Sequence, residues 1–291
     1  MRILVTGSAG QVAQSLRERA ADIHDLVFAG RPGLDLADPD SIARTVERVA
    51  PDMVFSVAAY TAVDKAETEQ DLAMAANGSG PGALAAAAAR VGAPIIHLST
   101  DYVFDGSGDR AYRENDTVAP LGIYGKTKLA GEQAVEASGA RFAILRTAWV
   151  YSPFGNNFVK TMLRLASDRD ELNVVEDQFG CPTSALDIAD AMFRVADSWA
   201  TDPHKGVNAI YHFAGSGETN WADFARAIMA FSAALGGPHA AVKGIPSSAY
   251  PVPARRPANS RLNSEHFAAT FGLRAPPWNT SLEKVVQRLV R

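Results

Sequence analysis

The fold of this chain is decided at its start, by the stretch Ile3-Leu4-Val5-Thr6-Gly7-Ser8-Ala9-Gly10-Gln11-Val12-Ala13. A short apolar run passes directly into a turn of small residues, which predicts a buried strand followed by a helix. The same alternation continues along the first half of the chain. Four further apolar runs predict buried strands at residues 26–29, 53–57, 95–99 and 142–145. Strands separated by helices predict an α/β fold with a parallel sheet and right-handed crossovers.

The small residues of this opening turn recur every third position and suit a phosphate. Gly7 permits the tight turn, Gly10 lets a pyrophosphate approach the backbone, and the small Ala13 lets the helix pack closely on the strand. The free N–H groups at Gln11 and Val12 then face the phosphates. An ordinary strand-to-helix turn is the alternative interpretation. The position after a strand at the start of the chain favours a dinucleotide site.

The end of the second predicted strand bears on the choice of dinucleotide. It carries no acidic residue but runs into Arg31, which suits the 2′-phosphate of NADPH or is an ordinary surface arginine. We therefore predict NADPH and leave NADH open. The further cofactor contacts are expected at Asp35, Leu36, Ala58, Ala59 and Tyr60. Ala58, Ala59 and Tyr60 are alternatively residues that only pack at the end of the third predicted strand.

Tyr124 and Lys128 form the second informative pattern, because residues four apart share one face of a helix. A free tyrosine has a pKa near ~10, and a neighbouring ammonium is expected to lower it. The same lysine can donate hydrogen bonds to ribose hydroxyls. Thr100, at the end of the fourth predicted strand, can bind the same carbonyl oxygen as the phenol. Together with the glycine turn, these residues predict hydride transfer between a nicotinamide cofactor and a carbonyl or alcohol.

Composition excludes several other classes of protein. The 28 basic and 32 acidic residues give a net charge of −4, which is not a nucleic-acid footprint. Cys181 is the only cysteine, so an internal disulfide and a cysteine zinc site are excluded, which fits the cytoplasm. The six histidines include no pair spaced i, i+4, so the sequence predicts no histidine metal site. No apolar run suggests a signal peptide or a membrane span.

The chain resembles the extended short-chain dehydrogenase/reductases, and in particular their 4-keto sugar-nucleotide reductases. The matching stretches are residues 7–12, 59–67, 99–106, 146–151, 157–163, 177–183 and 253–260. The resemblance implies reduction of the 4-keto group of dTDP-4-dehydro-6-deoxy-L-mannose, giving dTDP-L-rhamnose. It implies that Tyr124 donates the proton, that Lys128 tunes it and anchors the ribose, and that Thr100 adjusts its pKa. Substrate contacts are implied at Thr61, Val63, Thr100, Asp101, Trp149, Arg255 and Arg256.

Alternatives remain for some of these residues and for the activity. Trp149 is either a pocket residue or a core aromatic, and Arg255 with Arg256 either binds a diphosphate or is a surface pair. A dehydratase or epimerase is a second enzymatic interpretation, although Tyr102 follows Asp101 where dehydratases have a second acid. A dinucleotide-binding regulatory subunit without catalysis is a third.

The resemblance also implies a Rossmann-type, doubly wound parallel sheet with a smaller, discontinuous α/β substrate domain. The dinucleotide-binding domain is predicted at residues 1–148, with 177–212 and about 258–278 returning to it. The substrate domain is predicted at 149–176, 213–257 and 279–291. Helices are expected at 156–165, 186–196 and 221–234, and an extended loop at 246–257.

Three positions depart from the family pattern. Ala13 replaces a glycine, and Ser56 replaces an asparagine that braces the backbone. Ser15 stands where some members have a glutamate that helps bind magnesium between subunits. We therefore expect no magnesium and a monomer or weak homodimer.

Overall fold

The computed structural model of the protein describes residues 1–20 and 24–291. The strands in these ranges are β1 (Arg2–Thr6), β2 (Asp25–Ala29), β3 (Met53–Ser56), β4 (Ile95–Thr100), β5 (Phe142–Thr147), β6 (Val150–Tyr151), β7 (Glu171–Val175), β8 (Phe179–Gly180), β9 (Thr183–Ser184), β10 (Ala209–His212), β11 (Thr219–Asn220), β12 (Ala241–Ile245) and β13 (Asn259–Ser260).

The α-helices in the same ranges are α1 (Gln11–Arg19), α2 (Pro39–Val49), α3 (Val63–Ala66), α4 (Gln70–Met74), α5 (Gly80–Arg90), α6 (Ile123–Glu136), α7 (Phe158–Ala166), α8 (Ala185–Thr201), α9 (Trp221–Ala234), α10 (Glu265–Phe271) and α11 (Trp278–Val290). A π-helical turn at Ala75–Ser79 joins α4 to α5, and short 3₁₀ turns lie at Asp101–Val103 and Ser247–Ala249.

Six strands form one parallel sheet in the order β10-β5-β4-β3-β1-β2. The strand order reverses at β1, because the chain goes from β1 to β2 on one side and then returns to β3 on the other. In open α/β sheets, ligands bind in the crevice outside the carboxyl ends of the strands at such a point. The predicted α/β fold with a doubly wound parallel sheet is confirmed, and its crevice lies beside Gly7 and Ala58.

Helices pack on both faces of this sheet, and a cluster of buried apolar side chains lies between the sheet and the helices on each face. Residues such as Ile3, Val5 and Phe55 face α1, α8 and α10, and they form one cluster with the buried residues of those helices. Leu4 and Val54 point the other way, toward α2, α5 and the C-terminal part of α6. Because helices cover both faces of the sheet, the side chains on both sides of each strand are buried, and the strands are continuous apolar runs in the sequence.

Local signals set the ends of the helices. Asp38 accepts hydrogen bonds from the backbone N–H groups of Asp40 and Ser41 at the start of α2, with proline at the first helical position. The side chain of Asn220 accepts from Asp223 N at 2.8 Å and caps α9. The predicted helix at 221–234 has the observed bounds of α9.

Several predicted boundaries are wrong by one to five residues; the strands predicted from 26, to 99 and to 145 begin at 25 and end at 100 and 147. The strand predicted at 53–57 ends at Ser56, because Val57 N donates to the Thr6 hydroxyl instead of a strand partner. The helix predicted from 156 begins at Phe158, since Asn157 is its N-cap. The helix predicted at 186–196 runs from 185 to 201, where Trp199 extends its buried face.

A third apolar cluster lies apart from the two faces of the sheet. It joins α7, α9 and α11 with β7, which pairs with β12 in a separate two-stranded sheet. The loop predicted at 246–257 follows β12 and contains only the 3₁₀ turn in regular form. The division of the chain into the two predicted domains stays a prediction.

None of the helices in the described ranges is both long enough and apolar enough to span a lipid bilayer.

Candidate active site

The glycine turn after β1 forms an open cradle at the start of α1. Gly7 has φ +81°, which favours glycine, and a Cβ there would lie 3.3 Å from Ala58 Cβ. A Cβ on Gly10 would meet no atom of the described residues within 4 Å, so the backbone there is open to a ligand. The Thr6 hydroxyl accepts from Val57 N and Ala58 N, both at 3.0 Å, and holds the facing loop. The cradle fits a pyrophosphate at a helix N-terminus.

Gln11, the first residue of α1, ties this cradle to a distant loop. Its Oε1 accepts from Ser152 Oγ at 2.9 Å and from Asn157 Nδ2 at 3.0 Å. Asn157 also donates to the Ser152 and Phe154 carbonyls. The sequence predicted a phosphate role only for the backbone of Gln11, because the partners of its side chain lie more than 140 residues away.

The predicted ribose and adenine residues lie at the ends of β2 and β3. Arg31 is exposed just beyond β2. The Asp35 carboxylate accepts from Ala37 N at 3.0 Å, while Leu36 is buried in the cluster with α2 and α5. Ala58 and Ala59 are half-buried beyond β3, at the crevice. Their cofactor contacts, like those of Arg31, Asp35 and Leu36, stay predictions.

Asn77 is a residue that sequence analysis missed. It is fully buried in the π-helical turn, accepts from Tyr60 N at 2.7 Å and donates to Tyr60 O at 3.0 Å. Its amide also lies 3.3 Å from Thr127 Oγ1 on α6. Asn77 thereby braces the loop after β3 against the helix that carries Tyr124. An asparagine within an alanine-rich helical run was the available signal, because asparagine is a poor helix former.

Thr100 and Tyr124 meet at the carboxyl end of β4. Thr100 ends the strand and accepts from Tyr102 N at 3.2 Å, which starts the 3₁₀ turn. Its hydroxyl donates to Asp101 Oδ1 at 3.0 Å. Tyr124 lies in the first turn of α6, where the Thr100 side chain is close enough to act on the pKa of its phenol. The predicted pairing of hydroxyl and phenol is therefore present.

Lys128 lies one turn further along α6 and is only 2% exposed. Its Nζ donates to Leu98 O at 2.8 Å and lies 3.4 Å from His97 Nε2. Burial lowers the pKa of Lys128 to about 8, although the charge of Glu132 opposes the shift. The ammonium is thus held beneath the end of β4.

The expected direction of the Tyr124 pKa was wrong. Burial, followed by the charge of Asp101, raises the pKa of Tyr124 above its usual value, although the nearby Thr100 side chain opposes this. The prediction considered only the lysine one turn away. It could not include desolvation, or Asp101 from another element. The phenol is therefore protonated at neutral pH and suits a proton donor.

Asp101 offers a free acceptor in the same crevice. It is 3% exposed, and among the residues that the structure describes no donor reaches its Oδ2 with the distance and angle of an ordinary hydrogen bond. Burial raises the pKa of Asp101 to about 6, although the nearby side chains of Ser260 and Thr100 oppose the shift. A buried polar atom without a partner is costly, so a ligand hydroxyl is a fitting partner for it.

The remaining predicted substrate residues lie on three segments. Thr61 is exposed, and Val63 begins α3. Arg255 is exposed, whereas Arg256 forms a 2.9 Å ion pair with Asp64 of α3. Asp64 also accepts from Ala254 N at 3.2 Å, so one carboxylate holds the 254–256 segment beside α3. Sequence analysis did not identify Asp64 as the partner of Arg256, because the two residues are 192 positions apart.

Trp149 combines features of both of its alternative roles. It is half-buried and stacks on Trp221, with ring centroids 3.6 Å apart, beside the third apolar cluster. Its φ of +50° is unusual for a residue other than glycine and is frequent near functional sites. Its role in a substrate pocket stays a prediction.

Glu132 and Arg146 form a buried ion pair below the crevice. Arg146 donates from Nε to Oε1 at 2.9 Å and from Nη2 to Oε2 at 2.6 Å. Ser99 Oγ donates to the same carboxylate at 2.5 Å. The two charged side chains are 3% and 1% exposed, so the pair is essentially dry.

Ser15 is buried, and its hydroxyl donates to Gln11 O at 2.9 Å. Across the described ranges, no group of three or more histidine, cysteine, aspartate or glutamate side chains is arranged to hold a metal ion. The absence of magnesium stays a prediction.

The parallel sheet, the glycine cradle at its reversal point and the Thr100–Tyr124–Lys128 set define a Rossmann-type reductase of the short-chain dehydrogenase/reductase class. A family model described as the RmlD substrate binding domain matches residues 1–291. The chain belongs to this family, which confirms the resemblance predicted from the sequence.

Characterised relatives agree over the full chain. A dTDP-4-dehydrorhamnose reductase of Sinorhizobium fredii is 47% identical over 290 residues, covering 100% of this chain and 98% of that protein. A solved dTDP-4-dehydrorhamnose reductase structure from Clostridium acetobutylicum has a TM-score of 0.92 at 37% identity and covers 100% of both chains. Another from Bacillus anthracis, in complex with NADP, has a TM-score of 0.90 at 33% identity and covers 98% of both chains.

Proposed function

We propose that this chain reduces the 4-keto group of dTDP-4-dehydro-6-deoxy-L-mannose, which is dTDP-4-dehydrorhamnose, to give dTDP-L-rhamnose with NADPH. The observation that carries the proposal is a protonated phenol near Thr100, one helical turn before a buried lysine, at the end of the sheet that holds the glycine cradle. The full-length similarity to named reductases supports the choice of substrate.

The cradle residues hold the pyrophosphate of the cofactor. The open backbone at Gly7 and Gly10 admits it, and the N–H groups of Gln11 and Val12 donate to it. Arg31 meets the 2′-phosphate. Asp35, Leu36, Ala58, Ala59 and Tyr60 border the adenine, the ribose and the nicotinamide. When bound, the nicotinamide supplies the hydride.

The proton comes from the protein. Tyr124 donates a hydrogen bond to the carbonyl oxygen, and the Thr100 hydroxyl turns from Asp101 to donate to the same oxygen. These bonds stabilise the negative charge that develops there. Tyr124 then transfers its proton to this oxygen, and the ketone becomes an alcohol. Lys128 stabilises the resulting phenolate and binds the ribose. Solvent returns the proton to Tyr124 after turnover.

The sugar nucleotide lies across the crevice. Asp101 Oδ2 accepts a hydrogen bond from a sugar hydroxyl, which gives this buried atom its partner. Arg255 and Arg256 bind the diphosphate through their planar guanidinium groups. Thr61, Val63 and Trp149 line the sugar. A discontinuous substrate domain of residues 149–176, 213–257 and 279–291 supplies part of this pocket.

The other proposed properties follow from the residues as well. Tyr102 at the position after Asp101 argues against a dehydratase, which needs a second acid there. The complete Thr100–Tyr124–Lys128 set argues against a non-catalytic subunit. Ser15 favours a monomer or weak homodimer without bridging magnesium. The protein acts in the cytoplasm, without nucleic acid or membrane.

The deciding experiment is one assay of the purified chain. The 4-keto-L-sugar nucleotide is generated in place, and loss of reduced-nicotinamide absorbance is followed with NADPH and with NADH. We expect turnover and formation of dTDP-L-rhamnose. Binding of NADPH without turnover would instead support the regulatory subunit.

Arg31→Ala is expected to weaken NADPH binding about tenfold and to leave NADH binding nearly unchanged. The reason is that only NADPH carries a 2′-phosphate for the guanidinium. Dissociation constants from nicotinamide fluorescence measure both effects. Arg141→Ala is the control, because Arg141 precedes β5, which lies three strands away from β1 on the side opposite β2. Equal losses for the two dinucleotides would remove the 2′-phosphate role.

A further inference from the structure

Ser56 and His97 form a buried pair beneath the proposed active site. They face each other in the register of the neighbouring strands β3 and β4, and both are 0% exposed. His97 Nδ1 lies 3.0 Å from Ser56 Oγ. Ser56 stands where the family pattern has a bracing asparagine. In this chain its hydroxyl contacts an imidazole, and Asn77 braces the backbone of the loop that follows β3.

The other ring nitrogen of His97 faces Lys128. His97 Nε2 lies 3.4 Å from Lys128 Nζ, and Leu98 O accepts from the same Nζ at 2.8 Å. An ammonium only donates, so Nε2 must be the accepting nitrogen. The proton of the neutral ring therefore lies on Nδ1 and is donated to Ser56 Oγ. The hydrogen-bond network assigns this tautomer. Two of the three N–H groups of Lys128 are then used by Leu98 O and His97 Nε2, and the third is available to a group above β4.

The charged groups near Lys128 have other partners, so its ammonium contacts only neutral acceptors among the described residues. Glu132, one turn further along α6, is already paired with Arg146 of β5, and Tyr124, one turn before, is a protonated phenol. Asp101 follows Thr100 and accepts from its hydroxyl, and Glu132 is the charged group that acts on the pKa of Lys128. His97 stays neutral, because burial and the charge of Lys128 hold its pKa well below the usual value. The two direct contacts of the ammonium are thus a carbonyl and an imidazole.

We infer that His97 is a positioning residue, which holds the Lys128 ammonium in its charged form and aims its remaining N–H at the cofactor ribose. Ser56 assists by fixing the ring tautomer that accepts from Lys128. This inference rests on the proposed function for the role of Lys128. The contacts among Ser56, His97 and Lys128 do not depend on the identity of the sugar.

Two substitutions at the same position separate an accepting role from a packing role. His97→Gln keeps an amide group near the place of Nε2, whereas His97→Asn keeps one only near Nδ1. Both variants disturb the core and introduce an amide. His212→Asn is the matched control, because His212 is also 0% exposed and binds Tyr112 O through Nδ1, away from Lys128.

The measurement is the pH dependence of kcat/KM. A rate that needs charged Lys128 falls as pH rises through the pKa of this lysine, and an accepting His97 raises that pKa. We expect His97→Asn to shift the high-pH limb downward by about one pH unit, and to lower kcat/KM at pH 8 by about fivefold. His97→Gln and His212→Asn should keep the wild-type limb, and Ser56→Ala should shift it less than His97→Asn. An unshifted limb in His97→Asn would overturn the inference.

A second measurement needs neither turnover nor a variant of His97. Ring-¹⁵N NMR of the wild-type protein should show His97 as a neutral ring with protonated Nδ1 and unprotonated Nε2. His212 should show the same tautomer, because its Nδ1 faces the Tyr112 carbonyl, and Ser56→Ala should perturb only the signal of His97. A proton on Nε2 would refute the inference even if every His97 variant failed to fold. If the wild type binds NADPH but does not reduce the 4-keto sugar, the proposed function fails, while the tautomer still decides the role of His97.

Discussion

Tyr124→Phe is expected to lower kcat by about 10²–10⁴-fold while NADPH still binds. The variant loses only the hydroxyl, so the ring and its edge-to-face contact with Tyr102, at 5.4 Å between centroids, remain. The pyrophosphate cradle and Lys128 are untouched, which is why affinity for the dinucleotide should be kept. Single-turnover absorbance measurements and a fluorescence titration with NADPH separate the two effects.

The direction of the Tyr124 pKa explains why the loss should be large. Burial and Asp101 keep the phenol protonated, so it is ready to donate when hydride arrives. Tyr151→Phe is the control, because it also removes a buried hydroxyl, one that donates to Trp278 O at 3.1 Å within the third apolar cluster. If turnover of Tyr124→Phe equals that of Tyr151→Phe, Tyr124 is not the acid.

Glu132→Leu is expected to lower the free energy of unfolding by about 3–5 kcal/mol. The change leaves Arg146 charged and buried without its carboxylate, and an arginine cannot escape this by losing its proton. Ser99 also loses its acceptor. Chemical denaturation followed by circular dichroism gives the difference in free energy.

Two further variants test this explanation. Glu132→Leu combined with Arg146→Met should recover much of the lost stability, because no unpaired charge remains. Glu265→Ala should have little effect, since its ion pair with Arg274 is exposed to solvent. A double variant as unstable as Glu132→Leu alone would show that the loss comes from packing and not from the unpaired charge.

Features set by neighbours in the chain were predictable from the sequence. The glycine rhythm of residues 7–13, the caps at Asp38 and Asn220, and the helical pairing of Tyr124 with Lys128 all depend on groups within a few residues of one another. Backbone sterics and the period of the helix decide such features locally. The same rules predicted the parallel sheet, because alternating strands and helices have few ways to pack.

Contacts between distant segments were not predictable in this way. Asn77 with Tyr60, Gln11 with Asn157, and Arg256 with Asp64 each join residues that the sequence separates by 17 to 192 positions. The pKa of Tyr124 belongs to the same group. Lys128 was visible one turn away, but desolvation and the position of Asp101 depend on how β4 meets α6.

The amino-acid sequence by itself determined the class of this protein: a doubly wound α/β reductase with a phosphate cradle, a tyrosine–lysine pair and a threonine at a strand end. Only the tertiary structure decided the charge states in the crevice. It keeps the phenol neutral and places the ammonium on an imidazole and a carbonyl. The reason is physical, since a pKa depends on the water excluded and the charges approached from every side, and a linear pattern contains neither.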